Sequence, residues 1–195
     1  MKLAIIGTAG RKDDADKLTI QKWNEMKKVV ARFVKEHKIE IAISGGAAYA
    51  DHLAVGLYNA KLVYDLKLFL PCEFDIEKVK FLDNGSKDWR TNPGKISNWY
   101  HSEFSKKIGI NSLEEMKKAI LKGCAVQSGG GFFGRNDQVA KESDKLIAFT
   151  FGDGPIVKDG GTTHTVKQFL KNHDVKNAWH YDLNSMKLFQ NAKVN

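Results

Sequence analysis

Short apolar segments that end in glycine or proline turns, with helical patterns between them, constrain the fold more than any other feature of the chain. Three such segments lie at residues 2–6, 39–43 and 66–70. Between the first two, apolar side chains recur at helical spacing from Trp23 to residue 34, after a helix cap near Thr19. Strands that are apolar on both faces are typical of parallel sheets covered by helices. The sequence therefore predicts an α/β fold, a Rossmann-like parallel sheet flanked by helices.

This alternation is interrupted at about residues 84–131 and then resumes. The interrupting segment has several turn residues and one clear helix, for which Ser112 and Glu115 form a predicted capping box. It also contains a group of aromatic side chains: Trp89, Trp99, Tyr100 and Phe104. Beyond it we predict a helix at 137–143, a strand at 146–151, a helix at 163–172 and a last strand at 179–183. We predict a single domain over residues 1–195 with an insertion at about 84–131, either packed on the core or acting as a lid.

Composition narrows the classes of protein to be considered. The two cysteines of the 195-residue chain cannot form a disulfide framework, and no apolar run approaches the ~20 residues that span a bilayer. We therefore expect a cytoplasmic protein without a membrane span. The net charge of +8 favours anionic partners, but only four of the 31 basic residues are arginines. Because DNA readers rely on arginine, we expect a phosphorylated small molecule more than nucleic acid.

The glycine turns coincide with the carboxyl ends of predicted strands, where open parallel sheets bind ligands. Glycine lets the backbone approach a ligand, and free N–H groups at a helix start hold phosphate. On this basis we predict a ligand and phosphate site at three turns, formed by Gly7, Thr8, Gly10, Ser44, Gly45, Gly46, Gly160, Gly161, Thr162 and Thr163. Because no P-loop is present and the G-x-G-x-x-G fingerprint is missing after the first strand, where only Gly7 and Gly10 occur, ATP hydrolysis has no support and a standard nicotinamide dehydrogenase is not expected. No metal-ligand spacing occurs, so we expect neither a metal nor an organic cofactor.

Two further positions complete the predicted site. Arg135 and Asn136 follow a glycine, and an arginine in such a turn suits bidentate recognition of phosphate or carboxylate. Three of the six histidines lie near these turns or in the insertion, namely His52, His101 and His164, and they are interpreted as polar contacts rather than metal ligands. Of the aromatic group in the insertion, we expect at least half to form a small core, although such rings can also stack a base.

Three segments resemble motifs of the SLOG superfamily, in particular its YspA/YpsA-related branch. The segment 44–54 (SGGAAYADHLA) is similar to the SGGAxGAD-x-LA motif, and 135–149 is similar to RN-x-x-(M/V)-x-x-x-(A/S)D-x-x-(I/L)AF. Asp159 and the following Gly160, Gly161 and Thr162 stand where those proteins carry the GGT of a phosphate-binding loop. The resemblance covers roughly residues 1–75 and 130–185. It implies a Rossmann-like fold that binds nucleotides or their derivatives and that commonly forms homo-oligomers.

The same superfamily includes the LOG-type phosphoribohydrolases, whose PGG-x-GT-x-x-E motif supplies a catalytic glutamate. This chain has Val166 and Lys167 where that glutamate would fall. Cleavage of an N-glycosidic bond needs a carboxylate near the anomeric carbon. The candidate catalytic residues are therefore Asp51, which starts a helix after the second glycine turn, and Glu73, which follows the third strand. For both residues a structural role is the alternative.

Three functional hypotheses follow. The first is a protein that binds a nucleotide or nucleotide-derived ligand and hydrolyses its N-glycosidic bond. The second is a non-catalytic sensor or sequestering protein that uses the same crevice, since the LOG glutamate is missing. The third is DNA binding, as in the DprA branch of the superfamily, for which the positive net charge is the motive.

Overall fold

The computed structural model of the protein describes residues 1–88, 90–158 and 160–194, so Trp89 and Asp159 of the sequence analysis lie outside the described residues. The strands in this part of the chain are β1 (Lys2–Gly7), β2 (Ile41–Ser44), β3 (Asp65–Leu70), β4 (Phe74–Asp75), β5 (Lys80–Phe81), β6 (Ala125–Ser128), β7 (Lys145–Thr150), β8 (Ala178–Asp182) and β9 (Lys187–Gln190). The helices are α1 (Asp13–Lys17), α2 (Ile20–Glu36), α3 (His52–Asn59), α4 (Pro93–Ile108), α5 (Ser112–Leu121), α6 (Gly131–Glu142) and α7 (Gly161–Leu170). Two short 3₁₀ turns occupy Tyr49–Asp51 and Val175–Asn177.

Seven strands form one sheet in the order β6-β3-β2-β1-β7-β8-β9, and β4 pairs with β5 in a separate hairpin. All neighbours in the large sheet are parallel except β8 and β9. The prediction of an α/β fold with a mostly parallel sheet flanked by helices is confirmed. The strand order reverses between β1 and β7, so the crevice in which such sheets bind ligands lies at the carboxyl ends of these two strands.

The interior strands of the sheet are buried on both faces, as their apolar sequences predict. Leu3 and Ile5 of β1 belong to a core with α2, α3, α4 and α5. The alternate residues Ala4 and Ile6 belong to a second core, with Val139 of α6 and Phe169 of α7. Side chains alternate between the two faces of a strand, so β1 contributes to both helix layers.

The segment 84–131 contains two helices and the strand β6, which pairs with β3 at the edge of the large sheet. Its helix α5 begins as predicted at this point of the chain, but the predicted capping box is wrong. The N-cap is Asn111, whose side-chain oxygen accepts the Glu114 N–H at 3.2 Å. Ser112 and Glu115 do not cap the helix because their side chains contact His101 and His52 instead.

The strand β9 is absent from the sequence-based prediction, which ends with β8. It pairs antiparallel with β8 and is largely exposed, so it lacks the apolar pattern of an interior strand. In the described part of the chain, no helix combines the length and the apolar character that crossing a bilayer demands.

Candidate functional site

A crevice of about 890 Å³ opens at the carboxyl ends of β1 and β7. Its floor is formed by the turns after β1 and β2, and its walls by the first residues of α6 and α7, the segment 11–14 and one face of α4. The position is the one that the strand order predicts for a ligand site.

The turn after β1 lies in close contact with β7. A side chain at Gly7 would put its Cβ 2.1 Å from the Phe149 carbonyl oxygen, so no larger residue fits there without moving the backbone. The next residue, Thr8, donates its N–H to the same carbonyl at 2.9 Å. The ring of Tyr49 fills the space beside Gly10, which has a φ of +78°. Gly7 therefore lets the turn lie against β7, and Gly10 makes room for Tyr49.

The turn after β2 is closed by its own serine. The hydroxyl of Ser44 donates to the Asp51 carbonyl oxygen at 2.8 Å and accepts the Gly46 N–H at 3.1 Å. Ser44 is completely buried. Its hydroxyl is thus used to shape the turn and does not face the crevice.

Asp51 and Arg135 both lie against Gly45. An added Cβ at Gly45 would lie 2.8 Å from both Oδ2 of Asp51 and Nε of Arg135, so glycine allows the two side chains to approach. Burial raises the pKa of the Asp51 carboxyl, and the charge of Arg135 together with hydrogen bonding from the backbone N–H groups of Ala47, Gly45 and Gly7 opposes that rise. Asp51 is 5% exposed and reaches the crevice from below.

Arg135 lies in the first half of α6 and uses only part of its donor set on the protein. Its Nη1 donates to the Gly45 carbonyl at 3.0 Å, and its Nε donates to Oδ1 of Asn136 at 3.2 Å. The guanidinium also lies 5.5 Å from the ring centroid of Phe132. Among the described residues, no acceptor is found for its other N–H groups, which leaves a planar fork at the crevice.

A second charged pair consists of Asp14 and Lys158. The ammonium group of Lys158 lies 2.5 Å from Oδ1 of Asp14, and the Thr8 hydroxyl donates to Oδ2 at 2.7 Å. Asp14 is 5% exposed, whereas the Lys158 side chain is 42% exposed. Sequence analysis missed both residues, because neither lies in a motif and 144 positions separate them.

The loop that carries Lys158 is held on both sides. The Lys158 N–H donates to the Thr150 hydroxyl at 3.1 Å, and this hydroxyl contacts Nε2 of His180 at 2.8 Å. On the outer side, Val157 donates its N–H to the carbonyl of Lys193, whose own N–H donates to Pro155 at 2.7 Å. The loop is therefore built into the sheet on one side and tied to residue 193 on the other.

The start of α7 forms the wall beside this loop. The Thr163 hydroxyl is directed away from the crevice and donates to the Lys158 carbonyl at 2.8 Å. Asn136 donates its side-chain N–H to the Gly161 carbonyl at 3.2 Å, so α6 and α7 are fixed to each other at this end. Gly160, Gly161 and Thr162 line the crevice itself.

Aromatic side chains form the outer part of the walls. Phe133 of α6 is 61% exposed, and its ring meets His164 edge-on at a centroid distance of 5.3 Å. Tyr100 and Ile96 of α4 line the crevice as well. The crevice therefore combines a polar inner part with aromatic and apolar surface near its mouth. Trp99, also named in the sequence analysis, is exposed beside Tyr100, while Phe104 is completely buried in the core.

The predicted site residues fall into two groups. Those in direct contact with the crevice are Gly7, Thr8, Asp51, Arg135, Asn136, Gly160, Gly161 and Thr162. Those that shape its turns from behind are Gly10, Ser44, Gly45, Gly46 and Thr163. Glu73 belongs to neither group: it is exposed after β3 and is not brought to the other residues.

A separate group of polar residues lies behind the Gly46 turn, and we call it the histidine cluster (His52, His101, Ser105, Ser112 and Glu115). His52, His101 and Ser112 are buried, whereas Ser105 and Glu115 are partly exposed. Nε2 of His101 donates to the Gly46 carbonyl at 3.0 Å, and its Nδ1 lies 2.9 Å from the Ser112 hydroxyl. Nε2 of His52 donates to Glu115 at 2.7 Å. Burial lowers the pKa of His101 to about 3, with the nearby His52 adding to this effect, so the ring is neutral.

No cluster of three or more His, Cys, Asp or Glu side chains suited to holding a metal ion is found within residues 1–88, 90–158 and 160–194. The histidines instead contact individual polar groups. His164 contacts Asp137 at 2.8 Å, and His180 contacts Thr150 and the Gly154 carbonyl.

Comparison with known proteins shows a family relationship. No family model matches the chain. A protein of Acanthamoeba polyphaga mimivirus, named uncharacterized protein R261, is 38% identical over 181 residues. The matched region covers 89% of this chain and 93% of the viral protein. The chain therefore belongs to the same protein family as this mimivirus protein.

Proposed function

We propose that the protein binds a nucleotide or nucleotide-derived ligand in the crevice between β1 and β7. The observation that carries the proposal is the division of one cavity into two chemically different parts. Arg135, Lys158 and the backbone at the start of α7 provide donors for a phosphate group at its inner part. Phe133 and Tyr100 provide aromatic surface for a base near its mouth.

The relation to the SLOG superfamily is part of this proposal. In its support, the three segments that resemble SLOG motifs meet at one crevice, although they are far apart in the sequence. One position at which the chain departs from the motif also supports the relation to the superfamily. Tyr49 stands where the SGGAxGAD pattern has its third glycine, and its φ of +56° lies in the left-handed region that glycine favours. The chain thus keeps the backbone shape that the motif glycine would give.

Binding is better supported than hydrolysis of an N-glycosidic bond. Val166 is completely buried and Lys167 is exposed, so α7 offers no acid in place of the LOG glutamate. Glu73 lies outside the crevice lining, which leaves Asp51 as the predicted carboxylate that reaches it. Since hydrogen bonds and Arg135 already surround Asp51, its role in the proposal is to hold Arg135 and the glycine turns in place.

The test begins with mass spectrometry of small molecules released from denatured protein, followed by calorimetric titration with nucleoside monophosphates, nucleoside diphosphates, NAD and ADP-ribose. We expect a bound nucleotide or at least one saturable ligand. Arg135→Ala should weaken that ligand's binding by at least roughly tenfold, because a charge-assisted fork is lost. Arg32→Ala, an exposed arginine on α2, is the matched control and should bind as the wild type does.

Two results would change the proposal. If Arg135→Ala bound the ligand as tightly as the wild type, the phosphate position would be wrong. Release of a free base during incubation would show that the protein is a glycosidase, and Asp51→Asn would then be the first variant to assay.

A further inference from the structure

We infer that Asp14 is a specificity-determining residue which restricts the crevice to ligands with one or two phosphate groups, against triphosphates and longer polyanions. The inference rests on the proposed function, since it concerns the charge of the ligand in the same site. Its basis is that each cation in the inner crevice already has an acid beside it.

The first cation is Lys158. Its ammonium group contacts Asp14 at 2.5 Å, and Asp14 is itself fixed by the Thr8 hydroxyl at 2.7 Å. Asp14 is 5% exposed, so water screens its charge poorly. A phosphate that approaches Lys158 therefore also approaches a buried carboxylate that cannot turn away.

The second cation is Arg135, and its acid is Asp51. Oδ2 of Asp51 and Nε of Arg135 each lie 2.8 Å from the point that a Cβ atom at Gly45 would occupy. Asp51 is as buried as Asp14. The inner crevice thus contains two cations, each with an acid close to it.

The remaining charges that line the crevice stand at its rim. Among the described lining residues these are Arg11, Lys12 and Asp13, all exposed to solvent, where salt and water screen them. They leave one surplus positive charge. The donors of the site can bind one or two phosphate groups. Each additional phosphate adds negative charge, and every cation of the inner crevice already has an acid beside it, so this charge is not balanced.

Inorganic anions test this inference without any assumption about the base. Orthophosphate, pyrophosphate and tripolyphosphate are titrated into the wild type, Asp14→Asn and Asp16→Asn by calorimetry at fixed ionic strength without metal ions. Asp16 is the matched control, because it lies two residues away on α1 and is exposed outside the crevice lining. The asparagine introduced by Asp14→Asn keeps a side-chain oxygen that can accept from Thr8.

In the wild type we expect tripolyphosphate to bind no more than about threefold more tightly than pyrophosphate. In Asp14→Asn, Lys158 loses its acid, and tripolyphosphate binding should improve by about tenfold. Asp16→Asn should keep the wild-type ranking.

Three results would count against the inference. A wild-type affinity that rises steeply with each phosphate, or equal gains in the Asp14 and Asp16 variants, would overturn it and leave the proposed function intact. Failure of all three anions to bind the wild type would overturn the phosphate site of the proposed function as well. If Asp14→Asn does not fold, a wild-type affinity that rises steeply with each phosphate still overturns the inference.

Discussion

His101 and Asp14 are both buried polar side chains beside a glycine turn, but their surroundings differ. In the histidine cluster, both ring nitrogens of His101 are paired within the protein, with Gly46 and Ser112. In the crevice, Asp14 is paired with a lysine that is itself partly exposed to the open cavity. The comparison shows how to separate structural from ligand-binding polar groups: the first kind is enclosed by its own partners, and the second faces space that a ligand can enter.

The largest expected effect is a loss of folding stability when the histidine cluster is disrupted. His101→Ala removes a completely buried ring and leaves the Gly46 carbonyl without its donor. We expect the free energy of unfolding to fall by roughly 3–5 kcal/mol, from the cavity and the unpaired polar groups together. Urea denaturation measures this, with Phe133→Ala as the control from the crevice. A loss below about 1 kcal/mol would show that the cluster does not support the fold.

Lowering the pH should act on the same cluster. The ordinary histidine pKa is 6.5 and that of His101 is about 3, so between these values the unfolded chain binds a proton that the folded protein does not. Stability is therefore full above pH 6.5 and falls as the pH is lowered, by about 1.4 kcal/mol per pH unit from this residue. From pH 6.5 to about 4.5 we expect a loss of about 2.3 kcal/mol.

The measurement is urea denaturation of the wild type and His101→Gln at several pH values. The variant should show a shallower slope but not a flat one, because burial also lowers the pKa of His37 and His180. Equal slopes in the two proteins would contradict the assignment of this effect to His101.

In the crevice, Phe133→Ala should weaken ligand binding and leave the stability of the fold almost unchanged. The ring is 61% exposed, so its removal should change the free energy of unfolding by no more than about 0.5 kcal/mol. Loss of base stacking should weaken nucleotide binding by about tenfold. Calorimetry on the same ligand as for Arg135→Ala measures this, and Phe133→Tyr should restore binding. Unchanged affinity in the alanine variant would remove Phe133 from the site.

The smallest effect concerns the start of α5, beside the histidine cluster. Asn111→Ala removes the side-chain oxygen that accepts the Glu114 N–H and should cost about 1 kcal/mol of stability. Asn111→Asp keeps the acceptor and serves as the control, and neither change should alter ligand binding. Thermal unfolding of the two variants is sufficient, and equal melting temperatures would show that the cap contributes nothing.

The fold could be predicted largely because its interior strands are short, apolar and closed by turn residues. The strand β6 escaped prediction since its residues Ala125–Ser128 are all exposed at the sheet edge and carry no such pattern. The helix cap at Asn111 was assigned one residue too late, because a serine followed by a glutamate matches the capping pattern even when tertiary contacts claim both side chains.

For the site, sequence patterns indicated the turns but not the pairing of charges. Glycine turns at strand ends follow from local geometry, and the strand order then brings the three turns together. The contact of Asp14 with Lys158 depends on how two loops 144 residues apart pack at the crevice, and no local pattern carries that information. The sequence pattern also predicts that Ser44 binds phosphate, but its buried hydroxyl closes its own turn through local hydrogen bonds to Asp51 and Gly46.

The backbone hydrogen bonds between the loop that carries Lys158 and the segment at Lys193 affect how this loop opens. Val157 and Lys193 each donate a backbone hydrogen bond to the opposite segment, and Ala192 is bonded to Ala178 of β8. Residues that share such bonds open together in local unfolding, so their amide hydrogens exchange with a common free energy of opening. The crevice wall therefore opens as one cooperative unit with the segment at 192–193, so a change there alters how often Lys158 is in place to meet a ligand.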